Sequence, residues 1–246
     1  MLIIANWKAY IESVEKGKKL FAAAKRLSAK HEIVLAPPAP FLGILAHGNR
    51  SKVSFIAQDI SRTTGGAQTG ENTAAAIREA GATYALIGHS ERRAMGEDNA
   101  LVAKKLQHAL AQGLTPVLCI GERERDAEGQ YLAFLREEIE SAFASLSQKE
   151  RLQVVIAYEP IWAIGKSAAE SITATDLTEM VLYIRKVLAD LLPGRGASRA
   201  RVLYGGSVEP ENARALAQGS GIDGFLVGRA SVEPDSFAAL VKAVTV

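Results

Sequence analysis

Val154-Val155-Ile156-Ala157-Tyr158-Glu159-Pro160-Ile161-Trp162-Ala163-Ile164-Gly165 is the stretch on which the fold turns. Its opening residues, Val154 to Tyr158, are strand-like and apolar without a break. Such a run suits a strand covered on both faces, and strands of that kind belong to parallel sheets flanked by helices. Pro160 has no N–H to give to a ladder and stops the strand. Glu159 is thereby delivered to a strand's C-terminal end. The apolar segment that follows carries Trp162 and closes on Gly165, the pattern of a mobile flap. A flap that excludes water makes the carboxylate beneath it a better proton acceptor. A glutamate before proline is also how a solvated strand end is written, so this stretch alone leaves both readings open.

The same short apolar run recurs along the chain. Strands are expected near 2–5, 32–36, 53–58, 83–88, 115–120, 153–158, 201–205 and 223–227. Longer amphipathic stretches alternate with them near 13–29, 40–47, 73–80, 98–111, 128–146, 174–191, 210–217 and 234–243. Strict alternation of strand and helix implies a parallel sheet. An open doubly wound sheet is the alternative, but no Gly-x-Gly-x-x-Gly follows the first strand. No stretch reads as a domain linker, and Pro193-Gly194-Arg195-Gly196-Ala197-Ser198 reads as a loop. The expected architecture is α/β, a single (β/α)8 TIM barrel spanning 1–246, and its site belongs at the C-terminal ends of the strands.

Several strands end on residues with chemistry. The first runs into Asn6-Trp7-Lys8, and the fourth into Gly88-His89-Ser90-Glu91-Arg92-Arg93. Ser90 and Glu91 are natural residues of a first helical turn. The seventh strand runs into Gly205-Gly206-Ser207 and the eighth into Gly228-Arg229. Glycine-rich turns after strands can be simple turns, or places where backbone amides are bared for a phosphate. A lone lysine or histidine at such a position is more often structural. Their coincidence at the C-terminal ends of strands, with Glu159, favours one site.

Composition excludes other classes. A net charge of +2, with no long block of one sign, gives no footprint for nucleic acid. The single cysteine, Cys119, sits in an apolar run and cannot form an internal disulfide, which fits a reducing cytoplasm. No apolar run is long enough for a membrane span, and the first one is already strand-like, leaving no room for a removable leader. The histidines at 31, 47, 89 and 108 are scattered, so no metal is expected.

On the motifs at 6–8, 88–93, 158–165, 205–207 and 227–228, nearly the whole chain resembles the triosephosphate isomerase family. The resemblance implies a small phosphorylated sugar as substrate, no cofactor, and interconversion of dihydroxyacetone phosphate and D-glyceraldehyde 3-phosphate through an enediolate. It implies Glu159 as base, a neutral His89 as electrophile, Lys8 as fixed charge and Asn6 as amide donor. Backbone amides of Gly165, Ser207, Gly228 and Arg229 would hold the phosphate, and a lid would close over it. It further implies a homodimer through the loop Gly65–Glu71, with Thr69 reaching a partner's site and Glu71 facing a partner's Arg92.

The sequence departs from the family in places. After Gly165 it reads Lys166-Ser167-Ala168-Ala169-Glu170 where Thr-Gly-Lys is usual. Arg229 stands where a second glycine is common, so its side chain has to point away from a ligand, with a steric cost if φ is positive. Ala9 and Tyr10 replace the usual Met and Asn, and the turn after Arg93 is about one residue short. None of these removes a catalytic group. An isomerase of a larger ketose or aldose phosphate, such as a tetrulose phosphate, would use the same set. A catalytically silent phosphate-binding barrel is the reading from a different class.

Overall fold

The computed structural model describes residues 1–167 and 170–245. Its strands are β1 (Leu2–Asn6), β2 (Glu32–Ala36), β3 (Ser54–Ala57), β4 (Tyr84–Ile87), β5 (Thr115–Ile120), β6 (Val155–Tyr158), β7 (Val202–Tyr204) and β8 (Gly224–Val227). They pair in sequence order, all parallel, and β8 returns to β1 with Leu2 opposite Gly224 and Ile4 opposite Leu226. The sheet is a closed barrel, the architecture expected from the alternation of runs. Closure leaves no strand edge unpaired.

Period-two alternation sorts each strand's side chains into two cores. Leu2, Ile4, Val34, Ala36, Ile56, Leu86, Val117, Cys119, Val155, Ala157, Leu203 and Leu226 form the cluster inside the barrel. The intervening residues, such as Ile3, Ala5, Ile33, Leu118 and Ile156, pack outward against the helices. Both faces are buried, so the strands read as continuous apolar runs.

The helical layer contains α1 (Val14–Leu27), α2 (Ala39–Ala46), α3 (Ala74–Glu79), α4 (Ser90–Ala94), α5 (Asn99–Ala111), α6 (Gln130–Phe143), α7 (Gln148–Arg151), α8 (Ala174–Leu191), α9 (Gly196–Arg199), α10 (Pro210–Gly219) and α11 (Pro234–Ala243). Side chains of Ser13, Thr73, Asp98 and Thr173 cap α1, α3, α5 and α8 by accepting from first-turn amides. The one-turn helices α4, α7 and α9 were not among the expected spans. The last occupies part of the segment 193–198 that the sequence reading takes as a loop. Among the described residues no helix is long and apolar enough to cross a membrane.

Candidate active site

The inward parity of β1 continues from Leu2 and Ile4 to Asn6. That of β6 continues from Val155 and Ala157 to Glu159. Both side chains therefore arrive at the barrel mouth, where Asn6 is 4% and Glu159 2% exposed. Beyond Asn6 the chain turns sharply at Lys8, with φ of +46°, the only positive φ outside glycine among the described residues. Left-handed backbone at a lysine costs about 1–2 kcal/mol. The surroundings hold it there: the Lys8 N–H donates to Asn6 Oδ1 at 3.1 Å, and Gln58 Nε2 donates to the Lys8 carbonyl at 2.9 Å. The Lys8 ammonium pairs with Glu91 Oε1 at 2.6 Å.

His89 is the N-cap of α4. Its Nδ1 accepts the N–H of Glu91 at 3.2 Å, so that nitrogen carries no proton. The proton of the neutral ring therefore sits on Nε2, which faces Glu159 Oε1 at 3.2 Å and lies 3.4 Å from Asn6 Nδ2. Glu159 Oε2 accepts the Ser90 N–H at 3.1 Å. The strand end itself is fixed by the Glu159 N–H donating to the Ile120 carbonyl at 2.8 Å. Two glycines make room for this residue. A Cβ on Gly205 would lie 2.8 Å from Glu159 Cγ, and one on Gly121 would lie 1.8 Å from its carbonyl oxygen.

These groups line one side of a cavity of about 220 Å³. Gly165, Ser207, Gly228 and Arg229 line it too, so every sequence-predicted site residue meets in one space. Arg229 opens a 3₁₀ turn, Arg229–Ser231, and its φ is not positive. The steric cost anticipated for a side chain there does not arise. The guanidinium pairs with Glu209 at 2.8 Å.

The chain after Glu159 forms a 3₁₀ turn, Ile161–Ala163. Trp162 Nε1 and the Tyr158 hydroxyl donate to Glu122 Oε1 at 2.9 and 2.8 Å. Glu122 was not singled out from the sequence, although it too is an acid just past an apolar strand, two residues beyond Ile120. Burial, with the Glu122 charge beside it, holds the Tyr158 hydroxyl protonated far above the ordinary tyrosine range. Gly165 adopts φ of +75°, which favours glycine. Ser167 caps back on Glu170 at 2.7 Å. Ala168 and Ala169, part of the unusual second half of the flap, lie outside the described residues.

The loop Gly65–Glu71 is exposed throughout, Thr69 included. Glu71 receives the Ser61 hydroxyl, while Arg92 pairs within its own chain with Asp59 at 3.0 Å and Glu97 at 2.8 Å. A second cavity of about 590 Å³ opens among Asp59, Glu71, Arg92 and Met95. It is the larger, but it holds none of Asn6, Lys8, His89 or Glu159.

With that constellation in place, the comparisons with known proteins fall on the same side. The family model described as triosephosphate isomerase matches residues 1–244. The chain belongs to the triosephosphate isomerase family. It is 40% identical to a triosephosphate isomerase of Mycobacterium avium, covering 97% of this chain and 94% of that one. Against a triosephosphate isomerase of Moorella thermoacetica it is 39% identical over 98% and 97% of the two chains. Against one of Thermus thermophilus it is 37% identical over 98% of each. The family is one of aldose–ketose isomerases, and this chain is an enzyme of that class.

Proposed function

We propose that this chain, as a single catalytic domain over 1–246, interconverts dihydroxyacetone phosphate and D-glyceraldehyde 3-phosphate through an enediolate, as a step of glycolysis and gluconeogenesis. One observation carries the reading: the Glu159 carboxylate faces His89 Nε2 at 3.2 Å, in a cavity that Gly165, Ser207, Gly228 and Arg229 also line. The reaction moves a proton between adjacent carbons, and the C–H beside a carbonyl is a very weak acid. It needs a base on one side of the carbon and donors at the oxygens that gain charge.

Glu159 takes the proton. Its carboxylate is engaged with Ser90 and His89, so a bound substrate has to draw it off those donors. The freed His89 Nε2–H then points into the cavity, free to donate to the developing oxyanion, with Asn6 Nδ2 beside it. The Lys8 ammonium adds fixed positive charge, and its strained backbone holds it in place. Amides of Gly165, Ser207, Gly228 and Arg229 take the phosphate. Grip on that remote group supplies binding energy to close the flap and shut out water.

A cytoplasmic location accompanies this reading, supported by the one thiol, Cys119, which is fully buried. So does a homodimer, with the loop Gly65–Glu71 of one copy entering the cavity beside Arg92 of the next. Exposure of that loop and of Met95, 75% accessible, supports it. Sedimentation that finds a fully active monomer at working concentration would refute the dimer.

The test of function is a coupled isomerase assay on both triose phosphates, with Glu159→Gln as control and a four-carbon ketose phosphate as competitor. Fast turnover of the three-carbon substrate, lowered by several orders of magnitude in Glu159→Gln, is expected. Equal turnover in the variant would remove Glu159 from the mechanism.

A further inference from the structure

Helix α6 packs outside the barrel, yet one of its acids reaches the chain segments that bear the site residues. Glu138 is 1% exposed. Its Oε2 accepts the Gly121 N–H at 2.9 Å, and its Oε1 stands 3.2 Å from Arg93 Nη2. Arg93 in turn donates through Nε to the Gly88 carbonyl at 2.9 Å and through Nη1 to Asn99 at 2.8 Å. Each of Glu138's partners borders the chemistry. Gly88 precedes His89, and the Ser90 N–H that follows holds the Glu159 carboxylate. Gly121 lies flat against the Glu159 backbone, with no room for a methyl between them.

Stability does not account for an acid here. Replacing a buried ion pair with packed apolar groups is often neutral or stabilising. This pair is also imperfect, since Glu138 Oε1 and Arg93 Nη2 lack any aligned hydrogen-bond partner. Burial pushes the Glu138 carboxyl up to about 7, against the pull of Arg93 and Gly121. The charged groups facing it, Arg93 from α4, Glu122 past β5 and Glu159 past β6, make it one member of an unbalanced cluster. A group kept at such a cost is doing something other than packing.

We propose that Glu138 is a positioning residue for the isomerisation, fixing the turn that bears His89 to the strand end that bears Glu159 through Arg93 and Gly121. This rests on the function proposed above. Glu138 touches no substrate. It sets the separation of base and electrophile, for which a displacement of about 1 Å costs on the order of 10²-fold in rate.

The experiment compares wild type with Glu138→Gln at pH 8, above the raised value of the Glu138 carboxyl; the variant keeps the volume and the acceptor for Gly121 but loses the charge that faces Arg93. We expect kcat on the triose phosphate to fall about tenfold or more, with KM within about twofold because the phosphate wall is untouched. Arg93→Lys keeps the charge but cannot span both Gly88 and Glu138. It should show the same split, and the double variant should lose no more than either single one. It also serves if Glu138→Gln does not fold. The ring resonances of His89 are read in parallel by NMR, independently of turnover. They should move in the variants. An unchanged kcat with unmoved His89 signals in a folded variant overturns the proposal. Absence of wild-type turnover is a failure of the functional reading instead, and the NMR shift then still decides whether Glu138 positions His89.

Discussion

Alanine at position 205 is a direct probe of Glu159, the base proposed above. Its methyl carbon would lie 2.8 Å from Glu159 Cγ, whereas ordinary contact begins near 3.4 Å, so the side chain must yield by about 0.6 Å. Nothing else resists the change. The next neighbours, Glu159 Oε1 and the Tyr158 carbonyl, would both be at 3.5 Å, and the φ of Gly205 is not positive. The Gly205 N–H keeps its bond to the Tyr158 carbonyl at 2.8 Å. The barrel should therefore survive at a cost of about 1–2 kcal/mol for overpacking. The carboxylate, however, is held by donors at 3.1 and 3.2 Å and has no slack for such a shift. Scaled from about 10²-fold per ångström, kcat should fall roughly tenfold or more, with little change in KM. The assay is steady-state isomerisation of D-glyceraldehyde 3-phosphate, with a thermal melt on the same sample. Gly219→Ala is the control, because its methyl would meet only Ala174 at 3.5 Å. A folded Gly205→Ala enzyme with full kcat would refute the reasoning, since clearance at Gly205 would then not set the position of the base.

Glu138 links stability to pH. Its folded carboxyl is raised to about 7 from an ordinary value of 4.5, so the folded state holds its proton longer than the unfolded chain does. Stability from this group is complete below pH 4.5 and is lost as pH rises to about 7, by about 3 kcal/mol in all at 1.36 kcal/mol per pH unit. Urea unfolding of wild type and Glu138→Gln between pH 5 and 8 should show the wild type declining relative to the variant; parallel curves would contradict it. Lys8→Gly relieves a positive φ, so its melting point should hold or rise, by about 1 kcal/mol of stability, while kcat/KM falls by about 10²-fold or more. A variant that melts much earlier would show that Lys8 is structural. Burial pushes the Cys119 thiol well above its ordinary range, so a disulfide reagent should label it only after denaturation, and prompt labelling of the native enzyme would count against the packed barrel interior.

The barrel was legible because a strand buried on both faces leaves an unbroken apolar run, and eight such runs separated by helical stretches admit few topologies. That Glu159, His89, Lys8 and Asn6 would gather at one barrel mouth was legible because each lies within three residues of the end of such a run. Short helices were not: α7 and α9 span a single turn, too little sequence to show a period. Glu122 was hidden by Gly121, which reads as the turn after β5 and draws the eye from the acid behind it. Glu138 was hidden in the polar string Arg136-Glu137-Glu138, though it had a signal. It falls on the same helical stripe as Leu135, Ile139 and Ala142, all buried, where a charge has no reason to be unless something meets it.

The same alternation that builds the barrel also explains why the site sits where it does. Below the mouth, the inward positions of β1, β6, β7 and β8 are Ile4, Ala157, Leu203 and Leu226, all in the interior cluster. One step of two residues further on they become Asn6, Glu159, Gly205 and Gly228. Two polar side chains and two glycines replace four apolar ones within a single layer. The glycines open the space, and the polar residues point into it from strands that closure has made rigid. Packing alone would favour another apolar layer, and isolated buried carboxylates are costly. The layer is stable because each polar group finds a donor that local chain geometry supplies: Ser90 and His89 for Glu159, the Lys8 amide for Asn6. Those donors lie in turns that are themselves strained or tied down by buried charge, at Lys8 and around Arg93 and Glu138. On the function proposed above, catalytic competence in this barrel is set by how the turns are held, and substitutions there should lower kcat well before they unfold the strands.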